Sequence, residues 1–271
     1  LVVKGQTLAS LYPQPALRMA GDIDYLIKDD YSFVRDRIGV PLPHTLEKKE
    51  IAYVNNGVTF ELHTDLLDFG SRRNQQIWGN VMKNAWNTMH YAEVGGWKIR
   101  TLPPTINAIY LFLHLFFHFV SEGVSLRQLC DWAIFLHHNH KEIDFETVES
   151  TLQELKMLDA YKAFGVILID DIGLPKNDFP FELGSAERRW KNKILTDIFK
   201  GGNFGKLNHQ SESGLKHRFE TLRMLVVNTF RYRRLAPREM NRMLLKVIKI
   251  DCNVLMKRVR LFNWILVGVL P

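Results

Sequence analysis

Over the first hundred residues, apolar and polar positions alternate in short runs. Beyond them, long stretches turn almost continuously apolar or take a helical spacing. Strand-like runs fall at 1–4, 22–28, 50–54 and 58–64. The run Gly57-Val58-Thr59-Phe60-Glu61-Leu62-His63 alternates strictly after an Asn55-Asn56-Gly57 turn, so Phe60 and Leu62 share one face and Glu61 and His63 the other. Gly95-Gly96 between two short runs predicts a hairpin over 91–102. Short helices are expected at 6–12 and 30–38. The first is ended by Tyr12-Pro13-Gln14-Pro15 and the second by Pro41-Leu42-Pro43, because proline lacks an N–H and restricts the residue before it. The stretch 65–90 receives no element on this reading.

The pattern changes at Pro103-Pro104. Thr105 is read as the N-cap of a helix over 106–122 that is apolar all round and therefore buried. Ser125 caps a second helix at 126–137, Asp144 caps a third at 145–158, and further helices follow at 161–172 and 185–201. Basic amphipathic helices, interrupted at Ala236-Pro237, finish the chain. The fold class predicted is α+β: a small mixed sheet with helices against it over 1–103, then an α-helical domain over 104–271.

One stretch carries the chemistry. In Gly21-Asp22-Ile23-Asp24-Tyr25-Leu26-Ile27 two carboxylates stand two apart on a predicted strand, so Asp22 and Asp24 share a face, with Ile23 in the core behind them. Like charges so placed raise each other's pKa unless a cation lies between them, and oxygen ligands suit Mg²⁺. A neighbouring strand at 58–64 brings Glu61 beside them. Upstream, Leu1-Val2-Val3-Lys4-Gly5-Gln6-Thr7-Leu8 reads as strand, tight turn and helix start, a place where backbone amides meet a phosphate, with Lys4 and Arg18 supplying charge. His63 shares the face of Glu61 and is read as a supporting group, holding Glu61 or touching phosphate. Asp65 is held in reserve for Glu61. His114 and His118, four apart, lie on one helix face, either as hydrogen-bonded core histidines or aimed at the site. Arg127 and Asp131, also four apart, either pair along their helix or turn Asp131 toward the site. His137, His138 and His140 gather at a helix end, where cations suit the dipole.

The order Lys-Gly, Tyr-Pro, Arg, Gly-Asp-Ile-Asp-Tyr-Leu-Ile and Phe-Glu-Leu-His over roughly residues 1–140 resembles the uncharacterised bacterial nucleotidyltransferases of the polymerase-beta-like superfamily. The resemblance implies transfer of a nucleoside monophosphate from an NTP such as ATP to an acceptor hydroxyl, with Mg²⁺ or Mn²⁺. It implies a catalytic domain at 1–103 and Asp22, Asp24 and Glu61 as metal ligands. Lys4, Gly5, Gln6, Thr7 and Arg18 would hold the nucleotide, with His63, His114, His118 and Asp131 in support. Gln6 stands where the superfamily usually has Ser, and Glu61 where Asp is usual. Two other uses of the same site are a toxin-like transferase acting on tRNA, and a catalytically degenerate protein that binds a nucleotide or partner.

Composition adds bounds. An apolar fraction of 46% and a charged fraction of 24% over 271 residues are ordinary for a globular chain. The reading finds no run long enough to span a membrane. Between Lys216 and Arg260, 13 Lys and Arg face three acids, an excess larger than the whole chain's +7. Such a patch suits a polyanion, RNA among them, or is simply the solvated face of two helices. Cys130 and Cys252 carry no metal-ligand spacing and are expected reduced and buried, as in the cytoplasm. The chain begins with Leu, so it is read as starting inside a longer protein.

Overall fold

The computed structural model describes residues 1–19, 21–28, 37, 50–201 and 214–245, with side chains of the 214–232 helix from Arg223 onward. The expected helix at 30–38, apart from Arg37, lies outside these residues, as do Cys252 and the part of the basic C-terminal patch beyond residue 245.

Four strands form a mixed sheet in the order β1 (Val2–Val3), β2 (Ile23–Leu26), β4 (Val58–His63), β3 (Glu50–Asn55). β1 runs antiparallel to β2, β2 parallel to β4, and β3 antiparallel to β4. The β2–β4 register sets Asp24 opposite Glu61 and Leu26 opposite His63. Alternation then separates two faces. Asp24 and Leu26 are buried, while Ile23 and Tyr25 are only half-buried. Tyr25 and Tyr53 stack on Phe60 on the opposite face. The core behind the acid pair is therefore not Ile23, as expected, because the acid-bearing face is the one packed inward. A second sheet is the hairpin β5 (His90–Val94) and β6 (Trp97–Thr101), as its Gly-Gly turn predicts.

Between the sheets lies a helix absent from the sequence reading, α2 (Arg72–Asn87); the short helix in the first turn, α1, is Gln6–Ala9. Ser71 caps α2 by accepting from the Asn74 amide, and Ile77, Trp78, Met82 and Ala85 supply a buried stripe. The signal was present, at spacings of one, four and three, but diluted by polar neighbours.

α3 (Pro104–Ser121) begins two residues earlier than expected, with Pro103 rather than Thr105 at the cap; the Thr105 hydroxyl accepts instead from the Asp144 amide. Proline suits this first turn because its missing N–H has no helical partner to lose. α3 has the length and apolar content of a membrane span, unlike the sequence count, which its histidines, asparagine and threonine had interrupted. Two thirds of it is buried inside the protein, the position of a core helix. α4 (Leu126–Asn139) starts from a capping box of Ser125 and Gln128, and α5 (Phe145–Leu155) from Asp144. The expected single helices at 145–158 and 185–201 are shorter or divided. Lys156 turns left-handed between α5 and α6 (Leu158–Ile167), and α7 (Ser185–Arg188) is separated from α8 (Lys191–Gly201). A π-turn at Leu168–Ile172 carries α6 on to Gly173.

Phe112, Phe116, Trp132, Tyr161, Phe164 and Phe179 pack through edge-on, tilted and stacked contacts around α3 to form the centre of the core. The same apolar cluster takes in Val3, Leu8 and Leu26 from the sheet side, so it runs unbroken across residue 103. The C-terminal elements α9 (Gly214–Tyr232) and a helix at 237–245 close the far side. There the buried Glu239 accepts from the amides of Gly70 and Ser71 and from the Asn74 side chain (3.0 Å), at the start of α2. Gly70 is required at this crossing, because a β-carbon would lie 2.3 Å from the Met243 amide nitrogen.

Candidate active site

The site grows out of the first turn of the chain. Lys4 and Gly5 both adopt positive φ, 47° and 52°, which bends the chain sharply between β1 and α1. A β-carbon on Gly5 would sit 3.2 Å from the Asp22 carbonyl, so glycine meets both the conformation and the approach. The Thr7 hydroxyl is buried and donates to the Lys4 carbonyl at 2.9 Å, bracing the turn from within. Gln6 opens α1.

This bend delivers Lys4 to β2. Its Nζ lies 3.1 Å from Asp24 Oδ1 and 2.5 Å from His114 Nε2 on α3. Burial, then the neighbouring Lys4, hold the His114 imidazole well below its ordinary pKa, so it is neutral and accepts from the ammonium. From β4, His63 Nε2 reaches Asp24 Oδ1 at 3.0 Å and Glu61 Oε2 at 3.6 Å. Burial pushes the Asp24 carboxyl upward, but the His63 hydrogen bond and the Lys4 charge outweigh it, and the group stays ionised below the usual range. Asp22, by contrast, is raised by burial and by the charges of Asp24 and Glu61, and it hydrogen-bonds to Glu61. Glu61 is lowered, first by His63. Of this crowded acid pair, Asp22 therefore takes up a proton more readily than Glu61.

Asp22, Asp24 and Glu61 thus lie at one cleft, with Asp22 hydrogen-bonded to Glu61 but outside the group whose ligand atoms cluster most tightly. Asp24, Glu61 and His63 offer ligand atoms all within 4.8 Å of one another, so His63 stands closer to the acids than a merely flanking residue. Asp24 is 1% exposed, yet its Oδ2 has no hydrogen-bond partner. A buried, ionised oxygen left unpaired is costly unless a cation meets it. The donor set, rich in carboxylate oxygen with one imidazole, fits Mg²⁺ or Mn²⁺.

The other expected residues fall around the rim. Arg18 is clamped by Asp131 through two bonds of 2.7 Å, and the Tyr12 hydroxyl donates to the same carboxylate at 2.8 Å. Asp131 therefore pairs with the segment before β2 and not along its helix with Arg127, whose guanidinium donates to the Met19 carbonyl. The His118 and His114 rings lie 4.4 Å apart, and His118 meets Glu122. Asp65 accepts from the Gln75 side chain at 2.6 Å. His137 and His140 turn away from this region and contact the buried Asp178. A cleft of about 980 Å³ joins Lys4, Gly5, Asp22, Asp24, Glu61 and His63 to His114, His118 and Asp131. Sequence reasoning missed Tyr110, whose buried hydroxyl lines the cleft and is pushed far up by burial and by the three acids. Its position four before His114 was the available signal.

A family model described as uncharacterised nucleotidyltransferase matches residues 1–167. The chain belongs to this family. Searches of curated proteins and of solved structures found no match. The family match takes in the six strands among the described residues and every cleft residue just described, and it ends at the close of α6. Family membership makes the protein a transferase of nucleotidyl groups, and it extends the likeness seen in the sequence past residue 140.

Proposed function

We propose that this nucleotidyltransferase moves a nucleoside monophosphate from an NTP to the hydroxyl of an acceptor, with Asp22, Asp24 and Glu61 holding Mg²⁺ or Mn²⁺. The observation that carries the reading is the unsatisfied buried Asp24 Oδ2 beside Glu61 and Asp22. A divalent cation bound there supplies Lewis-acid polarisation and neutralises the triphosphate. The chain does the rest by position. Asp22, raised by burial and by its acidic neighbours, would be eased back toward the ionised form by a cation held there. Lys4, held between Asp24 and neutral His114, fixes the floor of the site. His63 orients Asp24 and Glu61 together. The Gly5 turn and Gln6 face the phosphates, and Arg18 is held at the rim. The acceptor oxygen bonds to the α-phosphorus while the α–β anhydride bond breaks. Pyrophosphate leaves with the electron pair, and the hydroxyl proton passes to Glu61 and on to water.

Asp24→Asn tests this directly. The variant keeps its circular dichroism spectrum and loses Mg²⁺-dependent transfer of label from NTP to a cell-extract acceptor. Undiminished transfer by the variant overturns the proposal, and NTP binding without pyrophosphate release by the unaltered chain reduces it to nucleotide binding.

A further inference from the structure

Beside the acid cleft lies a second cavity of about 530 Å³, within the range of small-molecule sites. Its walls are Leu17, Met19, Leu126, Ile198 and Phe199, with Arg127 at the boundary. Leu17, Met19 and Phe199 are 78%, 64% and 67% exposed, an unusual gathering of large apolar side chains in water. Arg18, Met19 and Arg127 line both cavities, so the two are immediate neighbours. Of the two arginines, Arg18 is neutralised by Asp131. Among the described residues Arg127 is not: it donates to the Met19 carbonyl, and its buried Nε has no partner there.

We infer that this cavity is the acceptor site, and that the acceptor is an amphipathic small molecule with an apolar body, one anionic group for Arg127 and a free hydroxyl reaching the acids. The inference rests on the transfer reading above and names its acceptor class. Two features favour the acceptor over the nucleotide's base. Apolar carbon makes up most of the wall, although Tyr12 and Ser125 also line it, whereas a base edge needs several hydrogen-bond partners. Ile198 and Phe199 also lie beyond the stretch that matches the family, so that side of the cavity, unlike Leu17, Met19 and Leu126, is outside what the family match covers.

The test uses the full chain with 8-anilinonaphthalene-1-sulfonate, a fused-ring body bearing one anion, followed by fluorescence, and Mg·ATP, followed by calorimetry. Leu126→Glu raises the probe's dissociation constant by roughly tenfold or more, and Phe199→Ser by several-fold, the loss expected from one large apolar contact. Both variants keep the Mg·ATP affinity of the unaltered chain, and probe and Mg·ATP bind together. Probe binding unchanged in both variants overturns the inference. So does mutual exclusion of probe and Mg·ATP, which would make the cavity the base site. Absence of Mg·ATP binding would instead sink the transfer reading, while the two variants would still decide whether the cavity binds an amphipathic anion.

Discussion

Single side chains here are set by partners far away in the chain. Lys4 and His114 are 110 positions apart, and no spacing rule relates them. The Asp22–Asp24 pair and Glu61 were legible because strand alternation is a local rule and the register of β2 on β4 completes it. His63 was legible as a companion of Glu61 but not as a contact of Asp24, since that needs the parallel pairing. Arg18 and Asp131 were read as separate candidates, and their clamp was not foreseen, because the helix-face rule offered Arg127 as the nearer cation. The lowered pKa of His114 has a thermodynamic consequence. Between the unfolded imidazole's value near 6.5 and the lower folded value, the unfolded chain binds a proton that the folded one refuses. Stability therefore falls as pH drops from about 7 toward 5. His114→Gln, which keeps an acceptor for Lys4, flattens that part of the profile when denaturant midpoints are followed against pH.

Elements were read best where caps and turns speak locally. Ser125 and Asp144 sit where their helices begin, and the Gly95-Gly96 hairpin forms as its turn predicts. The reading failed where tertiary packing decides. The 16-residue α2 is stabilised by one apolar stripe amid polar residues, and the expected 185–201 helix breaks in two. α6 shows how closely elements fit. A β-carbon at Gly165 would lie 2.3 Å from Phe179 Cζ, on a ring that is fully buried and stacked on Tyr161. Gly165→Ala forces that ring to move and costs about 1–3 kcal/mol, read as a lower urea midpoint, despite alanine's better helix propensity.

At the scale of the molecule, the C-terminal segment is fastened to the N-terminal half through a buried carboxylate. Glu239→Ala leaves the amides of Gly70 and Ser71 unsatisfied at the start of α2 and lowers stability by about 1–3 kcal/mol in chemical denaturation. Of the basic residues expected to meet a polyanion, Arg231 is paired with Asp197 and Arg238 bonds Asn74 and the Glu154 carbonyl. The footprint imagined from sequence is thus partly spent on internal contacts among the described residues. The grip of Asp131 on Arg18 and Tyr12 bears on how lesions combine. Arg18→Ala and Asp131→Ala each release the peptide leading to Asp22, so the two are epistatic: the double variant is scarcely worse than either alone, and turnover in all three strains falls to a common floor. A defect mapped to the middle of α4 would then masquerade as a lesion of the clustered acids themselves, though it lies on another element.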